Sequence, residues 1–257
     1  MMRLTHIAIL TTPALCALVL AGCGSTEPKE PLIHTPGTGS SFIYTYYSKD
    51  SSGRPIELTR RTVSRSVLAT GVSVMGKNSV VQYLEDGDTI NVHYEENGDA
   101  SFLQAAVAYP NNDMPELPGL PLPSVTLPAR WVTFPYGSRT AMAIPSFDTT
   151  IMVNVGGFPI PVTTHATGTT TYLKDEELSI SGETIATNKG LLTLNITFTV
   201  PLLATGSVSV IDTIWFAPKL GMFIKDDGFS HGIFPEEYGG ERDLGGTYNI
   251  LTSYTLK

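Results

Sequence analysis

From residue 41 onward, apolar and polar residues alternate with a period of two along most of the chain. Alternation of this kind is the pattern of a half-buried β-strand. It predicts strands at 41–47, 56–70, 80–84, 89–94, 100–109, 130–134, 140–155, 160–173, 178–188, 191–200, 207–216, 221–225 and 247–256. No segment beyond residue 22 shows a helical stripe with capping residues, so we expect at most one short helix.

So many consecutive strands need their edges closed or covered. No shift in composition along residues 41–257 marks a second domain. The sequence therefore predicts one mainly-β domain over 41–257, an antiparallel meander that forms a curved half-barrel or barrel with little helix.

Turn residues separate the predicted strands. Asp86-Gly87 and Asn97-Gly98 favour tight hairpins, because Asp, Asn and Gly tolerate positive φ. The later strands are predicted to be separated at Gly156-Gly157, Asp175-Glu176, Lys189-Gly190 and residues 204–206.

Residues 110–128 interrupt the alternation with six prolines. Proline cannot donate a hydrogen bond to a neighbouring strand, so a long surface excursion is predicted. Apolar residues between the prolines favour packing against the domain. The excursion is either a packed loop or a lid over a ligand site.

The beginning of the chain has the layout of a bacterial export signal. Arg3 supplies positive charge, and the mostly apolar run over 7–20 is short for a membrane span. The run ends Leu20-Ala21-Gly22-Cys23, which resembles the lipobox of bacterial lipoproteins. The resemblance implies diacylglycerol transfer to the Cys23 thiol, cleavage before Cys23 and acylation of the new amino group. Residues 1–22 are thus predicted to be the signal peptide.

The mature chain would be attached to a membrane through Cys23. The only other cysteine, Cys16, leaves with the signal, so no disulfide is expected. Gly24 stands where Asp would indicate retention at the inner membrane, so the outer membrane is expected in a Gram-negative organism. Residues 23–40 are rich in Pro, Gly, Ser and Thr and are predicted to be a flexible tether.

The balance of charge limits the partners. The chain has 16 Lys and Arg against 24 Asp and Glu, a formal net charge of −8. No cluster of basic residues is present to neutralise phosphates, which excludes a nucleic-acid partner. A charged fraction of 16% with many Thr, Val, Ile and Tyr residues is typical of a β-rich extracytoplasmic domain.

The segment 212–225 has the most distinctive sequence, DTIWFAPKLGMFIK. Pro218 and Gly221 predict a hairpin. The segment resembles an Asp-x-x-x-Trp-(Tyr/Phe)-Ala-Pro-Gly-(Val/Ile)-Gly-x-(Val/Ile)-Lys signature of uncharacterised β-rich bacterial envelope proteins, with Lys219 in place of the first Gly. Residues 94–99 resemble a second hairpin of the same proteins. The resemblance implies a fold similar to the lipoprotein-localisation factors, a curved sheet whose apolar concave face holds acyl chains. The helical plug of those factors has no counterpart in this sequence.

Large aromatic residues are the candidate ligand-binding groups. Trp131, Trp215, Phe216 and Phe223 could line an apolar pocket. Aromatic side chains also dominate ordinary cores. At this stage the two interpretations, pocket and filled core, both stay open.

Residues 226–243 combine six carboxylates with several glycines. Calcium and similar cations bind several oxygens of a flexible loop. The segment is predicted to be a loop, either a cation site or a solvated charged loop.

Catalytic motifs are absent from the sequence. No nucleophile elbow, zinc helix or phosphate-binding glycine loop occurs, and His93, His165 and His231 are not at metal-ligand spacing. We therefore expect no cofactor and no catalysis. Two functions remain: a lipid-anchored envelope protein that binds an apolar ligand such as lipid, or a structural module that contacts another envelope protein.

Overall fold

The computed structural model describes residues 32–104, 107–109, 125–127, 129–155, 158–200, 204–236 and 240–257. Cys23 and the predicted signal peptide lie outside the described residues, as does most of the proline-rich excursion. Residues Leu32–Lys257 belong to one structural unit.

Strands make up 74% of the structure. They are β1 (Ser41–Lys49), β2 (Arg61–Val74), β3 (Lys77–Glu85), β4 (Asp88–Tyr94), β5 (Ala100–Gln104), β6 (Val107–Tyr109), β7 (Val125–Leu127), β8 (Arg130–Phe134), β9 (Met142–Val155), β10 (Phe158–Ile180), β11 (Glu183–Val200), β12 (Ala204–Ala217), β13 (Met222–Ile233) and β14 (Glu241–Thr255). A 3-10 turn lies at Glu57–Thr59. Within the described residues, no helix has the length and apolarity needed to span a membrane.

Twelve strands form one antiparallel sheet in the order β8-β5-β4-β3-β2-β1-β14-β13-β12-β11-β10-β9. The sheet is nearly closed into a barrel. Across the remaining gap, Thr170 Oγ1 donates a hydrogen bond to the Thr133 carbonyl at 2.6 Å. Strands β6 and β7 pair separately. The predicted fold class, a mainly-β antiparallel barrel with little helix, is confirmed.

Strands β1 and β14, the first and last in sequence, pair with each other within the sheet. Ser41 is opposite Thr255, and the pairing of β1 with β14 continues to Lys49 opposite Gly246. Consecutive hairpins extend from this β1–β14 seam in both directions. Every other pairing in the sheet therefore joins strands that are near one another in sequence.

The two predicted Asx-Gly hairpins are present. Asp86 and Gly87 have φ values of 50° and 94°, which a two-residue turn of type I′ requires at both positions. At the other turn the Glu95 amide donates to the Asp99 carbonyl at 2.9 Å. Gly98 has a φ of 91° there.

The predicted hairpin at Pro218 and Gly221 is also present, and the chain before β1 packs against it. The His34 amide donates to the Pro218 carbonyl at 2.8 Å. Gly221 has a φ of 58°, and a Cβ atom there would collide with the His34 carbonyl oxygen. Ile33 is buried. Residues 32–40, which the composition assigns to a flexible tether, are therefore packed on the barrel.

Three predicted strand boundaries in the second half are wrong. Residues 204–206 do not separate strands but begin β12, where Thr205 pairs with Thr199. Asp175-Glu176 does not separate strands: β10 runs through it, and the Asn188 amide side chain donates to Asp175 across the pair at 2.6 Å. Lys189-Gly190 lies within β11. Gly190 is required there by packing, since its Cβ would lie 2.8 Å from Phe134 Cδ1. The turn between β10 and β11 is at Ser181 and Gly182, with φ values of 52° and 84°.

Some strand limits in the first half also differ from the prediction. The strand expected over 56–70 begins at Arg61, after the 3-10 turn, and continues to Val74. The strand expected over 100–109 is divided into β5 and β6. In both places the apolar pattern continues across the limit of a strand, so alternation alone does not mark the boundary.

A cavity with a buried carboxyl group

A cavity of about 440 Å³ lies beside the ends of β1 and β14. Small-molecule sites have volumes of roughly 300–1,000 Å³. Its walls are both polar and apolar and comprise Ser48, Lys49, Ile56, Thr59, Val210, Asp212, Gly228, Phe229, Ser230, Leu244, Gly245, Gly246 and Thr247. We call it the Asp212 cavity.

Glycines create the space. A Cβ atom at Gly246 would collide with the Gly228 carbonyl, so β13 and β14 approach closely only because residue 246 lacks a side chain. A Cβ atom at Gly228 would lie 3.3 Å from Thr247 Oγ1 and 3.5 Å from Asp212 Oδ1. The absence of a side chain at Gly228 thus leaves space next to the Asp212 carboxyl group.

Asp212 belongs to the buried face of β12. It alternates with Val210 and Ile214, which pack into the apolar clusters of the barrel. Its Oδ1 atom is buried and has no hydrogen-bond partner among the described residues. Burial, and after it the neighbouring carboxylate of Asp226, raise the pKa of Asp212 to about 8. Near neutral pH the group is therefore largely protonated.

A second buried carboxyl group lies on the adjacent strand. Asp226 is opposite Ile214 in the β12–β13 register. Burial raises its pKa to about 6, although the Arg65 charge and a hydrogen bond from Asn249 act in the opposite direction. The Arg65 guanidinium forms an ion pair with Glu85. Asp226 therefore shares the Arg65 cation with another carboxylate.

Lys49 is the cation in the wall of the cavity. Its Nζ forms an ion pair with Asp227 Oδ1 at 2.5 Å and donates to the Gly228 carbonyl at 3.2 Å. The Lys49 charge lowers the pKa of Asp212 by less than burial and Asp226 raise it. The side chain also lies over the Phe229 ring, 5.6 Å from its centroid. Lys49 is thus already paired with a carboxylate other than Asp212.

The buried carboxyl group predicts a pH dependence of stability. In the unfolded chain Asp212 ionises near pH 4, whereas in the folded protein it holds its proton up to about pH 8. The folded state binds the extra proton between these values, so the free energy of unfolding falls as pH rises through this window. We expect a loss on the order of 3 kcal/mol between pH 5 and pH 8, measured by urea unfolding.

The Asp212→Asn variant isolates this contribution. Other groups change stability with pH as well: the pKa of Asp226 is raised, and that of His231 is raised by its hydrogen bond to Asp243. The difference between wild type and Asp212→Asn should therefore be the readout, with the variant the more stable at pH 8. Parallel pH profiles for the two proteins would contradict a protonated Asp212.

The four predicted aromatic residues are not brought together. Phe216 is fully buried and stacks on Tyr136 with ring centroids 5.3 Å apart. Phe223 lies 5.2 Å from Phe216. Trp215 is separated from them by a register shift in β12, and its Nε1 donates to Glu176 at 3.2 Å.

Trp131 lies at another place in the sheet. Its Nε1 donates to the Met75 carbonyl at 3.2 Å, and the Lys77 Nζ lies 5.7 Å from its ring centroid. The Asp212 cavity includes none of the four predicted aromatic residues. A ligand-binding role for Trp131, Trp215, Phe216 and Phe223 stays a prediction, and lipidation of Cys23 lies outside the described residues.

The predicted acidic loop over 226–243 is wrong as a loop. Asp226 and Asp227 belong to β13, and Glu241 and Asp243 belong to β14. The glycines of this segment serve close packing: a Cβ atom at Gly232 would collide with the Phe234 ring. In the described part of the chain, no group of three or more His, Cys, Asp or Glu side chains could hold a metal ion.

His231 contacts two carboxylates of β14. Its Nδ1 lies 2.8 Å from Asp243 Oδ1, and its Nε2 lies 3.3 Å from Glu241 Oε1.

The sequence analysis did not select Asp212, although it begins the distinctive segment 212–225. The alternation of apolar and polar residues could have identified Asp212. It is two residues from both Val210 and Ile214, and side chains two residues apart in a strand point to the same face, here toward the core. A buried carboxyl group that is not paired with a cation is uncommon and indicates a functional site.

The sequence matches no protein-family model, and no curated protein matches it. Solved structures similar to it include a protein named as a lipoprotein from Parabacteroides distasonis, with a TM-score of 0.41, 10% identity, and coverage of 86% of this chain and 96% of that chain. A protein from Bacteroides fragilis, named as exported and of YmcC-like fold, has a TM-score of 0.31, 9% identity, and coverage of 87% and 98%.

The hypothetical lipoprotein YmcC from Escherichia coli has a TM-score of 0.30, 12% identity, and coverage of 87% and 89%. Likenesses at these scores add nothing to the fold described above.

Proposed function

We propose that the chain is a membrane-anchored lipoprotein of the bacterial envelope, non-catalytic, whose barrel binds a small ligand in the Asp212 cavity. The observation that carries the ligand-binding role is the buried, unpartnered Oδ1 atom of Asp212 beside an open volume of about 440 Å³. An unsatisfied buried polar atom destabilises a protein by about 1–3 kcal/mol. A ligand that donates a hydrogen bond to Asp212 would remove this penalty.

The lining of the cavity favours an amphipathic ligand over a wholly apolar one. Val210, Phe229 and Leu244 supply apolar surface, while Asp212 and Thr247 supply polar atoms. Most small-molecule sites combine apolar walls with a few polar groups that orient the ligand. The envelope location is supported separately, by the lipobox at Leu20-Ala21-Gly22-Cys23.

Native mass spectrometry of the full-length protein, purified in detergent, tests the ligand-binding role. We expect wild type to retain a small molecule and Gly228→Ala to lose it. The added methyl group would lie 3.5 Å from Asp212 Oδ1, within the space that a ligand would occupy. Its contact with Thr247 Oγ1 at 3.3 Å is with a side chain that can move, so the variant should fold.

A matched control changes a surface residue of similar size and leaves the cavity intact. Ser207→Ala serves this purpose, since Ser207 lies on β12 but is not part of the cavity wall. Wild-type protein without a retained mass, or the same mass retained by Gly228→Ala, would count against ligand binding in this cavity.

A further inference from the structure

We infer that the Asp212 cavity binds a primary ammonium group carried on a short apolar body, with the Asp212 carboxylate as its counter-ion. This inference rests on the proposed ligand-binding function and names the chemistry of the ligand. It follows from the charges around the cavity, the hydrogen-bonding atoms that are free to accept, and the apolar part of the wall.

The charges around the cavity favour a cation. Three carboxyl groups, those of Asp212, Asp226 and Asp227, lie close enough to influence one another. The two nearby cations already have carboxylate partners: Lys49 is paired with Asp227, and Arg65 with Glu85. A bound ammonium group would give Asp212 a cationic partner, whereas a bound anion would be repelled by the Asp212 carboxylate in the wall and by the two carboxyl groups near it.

The hydrogen-bonding atoms favour a primary ammonium over a quaternary one. Asp212 Oδ1 has no donor among the described residues, and Thr247 Oγ1 lies on the other side of the space left by Gly228. A primary ammonium group has three N–H donors and can satisfy both oxygens. A quaternary ammonium has no donor and would leave Asp212 Oδ1 unsatisfied.

A second unpartnered polar atom lies near the same carboxyl group. The Tyr136 hydroxyl is buried and has no hydrogen-bond partner among the residues that the structure describes. Burial raises the pKa of Tyr136, and the charge of Asp212 adds to this effect. Tyr136 therefore stays a neutral phenol, and its hydroxyl is, among the described residues, a second buried polar atom without a partner near Asp212.

The apolar wall fits a short hydrocarbon chain. Val210, Leu244 and Phe229 contribute to the lining together with the polar group at Asp212. The ligand is therefore expected to have its ammonium group at one end and hydrocarbon at the other.

Isothermal titration calorimetry of the full-length protein in detergent at pH 7 tests the inference with four probes of equal chain length. These are n-butylammonium, 1-butanol, butyrate and butyltrimethylammonium. We expect n-butylammonium to bind at least tenfold more tightly than each of the others. Because the bound cation lowers the pKa of Asp212, binding should release protons, detected as a dependence of the heat on the ionisation enthalpy of the buffer.

Variants assign the binding to the cavity. Asp212→Asn should weaken n-butylammonium binding at least tenfold and abolish proton release, and Gly228→Ala should also weaken binding. Asp148→Asn is the matched control, because Asp148 lies on the exposed surface beside His165. It should bind n-butylammonium as wild type does.

A primary ammonium group occurs both in free amines and in lipid headgroups, and phosphoethanolamine separates these sources. We expect it to bind more weakly than n-butylammonium, because its phosphate would be repelled by the three carboxyl groups in and near the cavity wall. Equal or tighter binding of phosphoethanolamine would assign the ammonium group to a lipid headgroup.

Several outcomes would overturn the inference without deciding the proposed function. One is equal affinity for 1-butanol and n-butylammonium, and another is unchanged n-butylammonium binding by Asp212→Asn. Absence of binding by all four probes would do the same. The retained mass in native spectrometry, and its loss in Gly228→Ala, tests the ligand-binding function independently.

Discussion

Replacing Cys23 by Ser is expected to move the protein from the membrane fraction to the soluble fraction. A serine hydroxyl does not replace the thiol in the transfer of diacylglycerol, so the chain would carry no acyl groups. Each methylene of an acyl chain that enters the bilayer contributes about 0.8 kcal/mol, so the loss of all chains removes stable attachment. Fractionation of cells after a high-salt wash, with the protein detected by antibody, measures the effect.

Cys16→Ser provides the matched control for this experiment. Cys16 lies in the apolar part of the predicted signal peptide, and its replacement should leave the protein in the membrane fraction. Cys23→Ser protein that remained with membranes after the wash would show that the attachment does not depend on a lipid at Cys23.

Truncating Phe216 to Ala is expected to destabilise the barrel by about 3–5 kcal/mol. The Phe216 side chain is fully buried and contacts three other rings, those of Tyr94, Tyr136 and Phe223. Its removal would leave a cavity that these rings cannot fill without moving out of their stacked arrangement. Urea unfolding of the variant and of wild type, at the same pH, measures the difference.

This experiment also separates a filled core from a ligand pocket at the predicted aromatic residues. If Phe216 lined a pocket, its truncation would change stability little and would alter ligand retention instead. Leu58→Ala is the control, because the Leu58 side chain is 99% exposed and its truncation should change the free energy of unfolding by less than about 0.5 kcal/mol. A Phe216→Ala variant as stable as Leu58→Ala would refute the packed-core interpretation.

Local sequence signals predicted the fold class because most of its pairings are local. Alternation marked the strands, and Asp86-Gly87 marked a turn because both residues have positive φ there. The same reasoning failed at Lys189-Gly190, where glycine makes room for Phe134, a residue 56 positions earlier in the sequence. A glycine needed for a distant packing contact cannot be distinguished from a turn glycine by its neighbours in sequence.

For a related reason, the candidate site could not be predicted from the sequence. Lys49 and Asp227 are 178 residues apart in sequence. Their ion pair depends on the pairing of β1 with β14. The acidic segment 226–243 was predicted to be a loop because its glycines were interpreted from their sequence neighbours alone. Asp212 alone could have been selected, from its position in the alternation of β12.

Pairing between β1 and β14 also determines when the sheet can be completed during synthesis. The chain is made from its N-terminus, so β1 can pair with β2 early but must wait for β14, which begins at Glu241. Until then one side of β1 presents unpaired backbone groups, a template for association with other chains. A chain interrupted before β14 would be left with two open edges, at β1 and at β13, rather than with a barrel that lacks one strand.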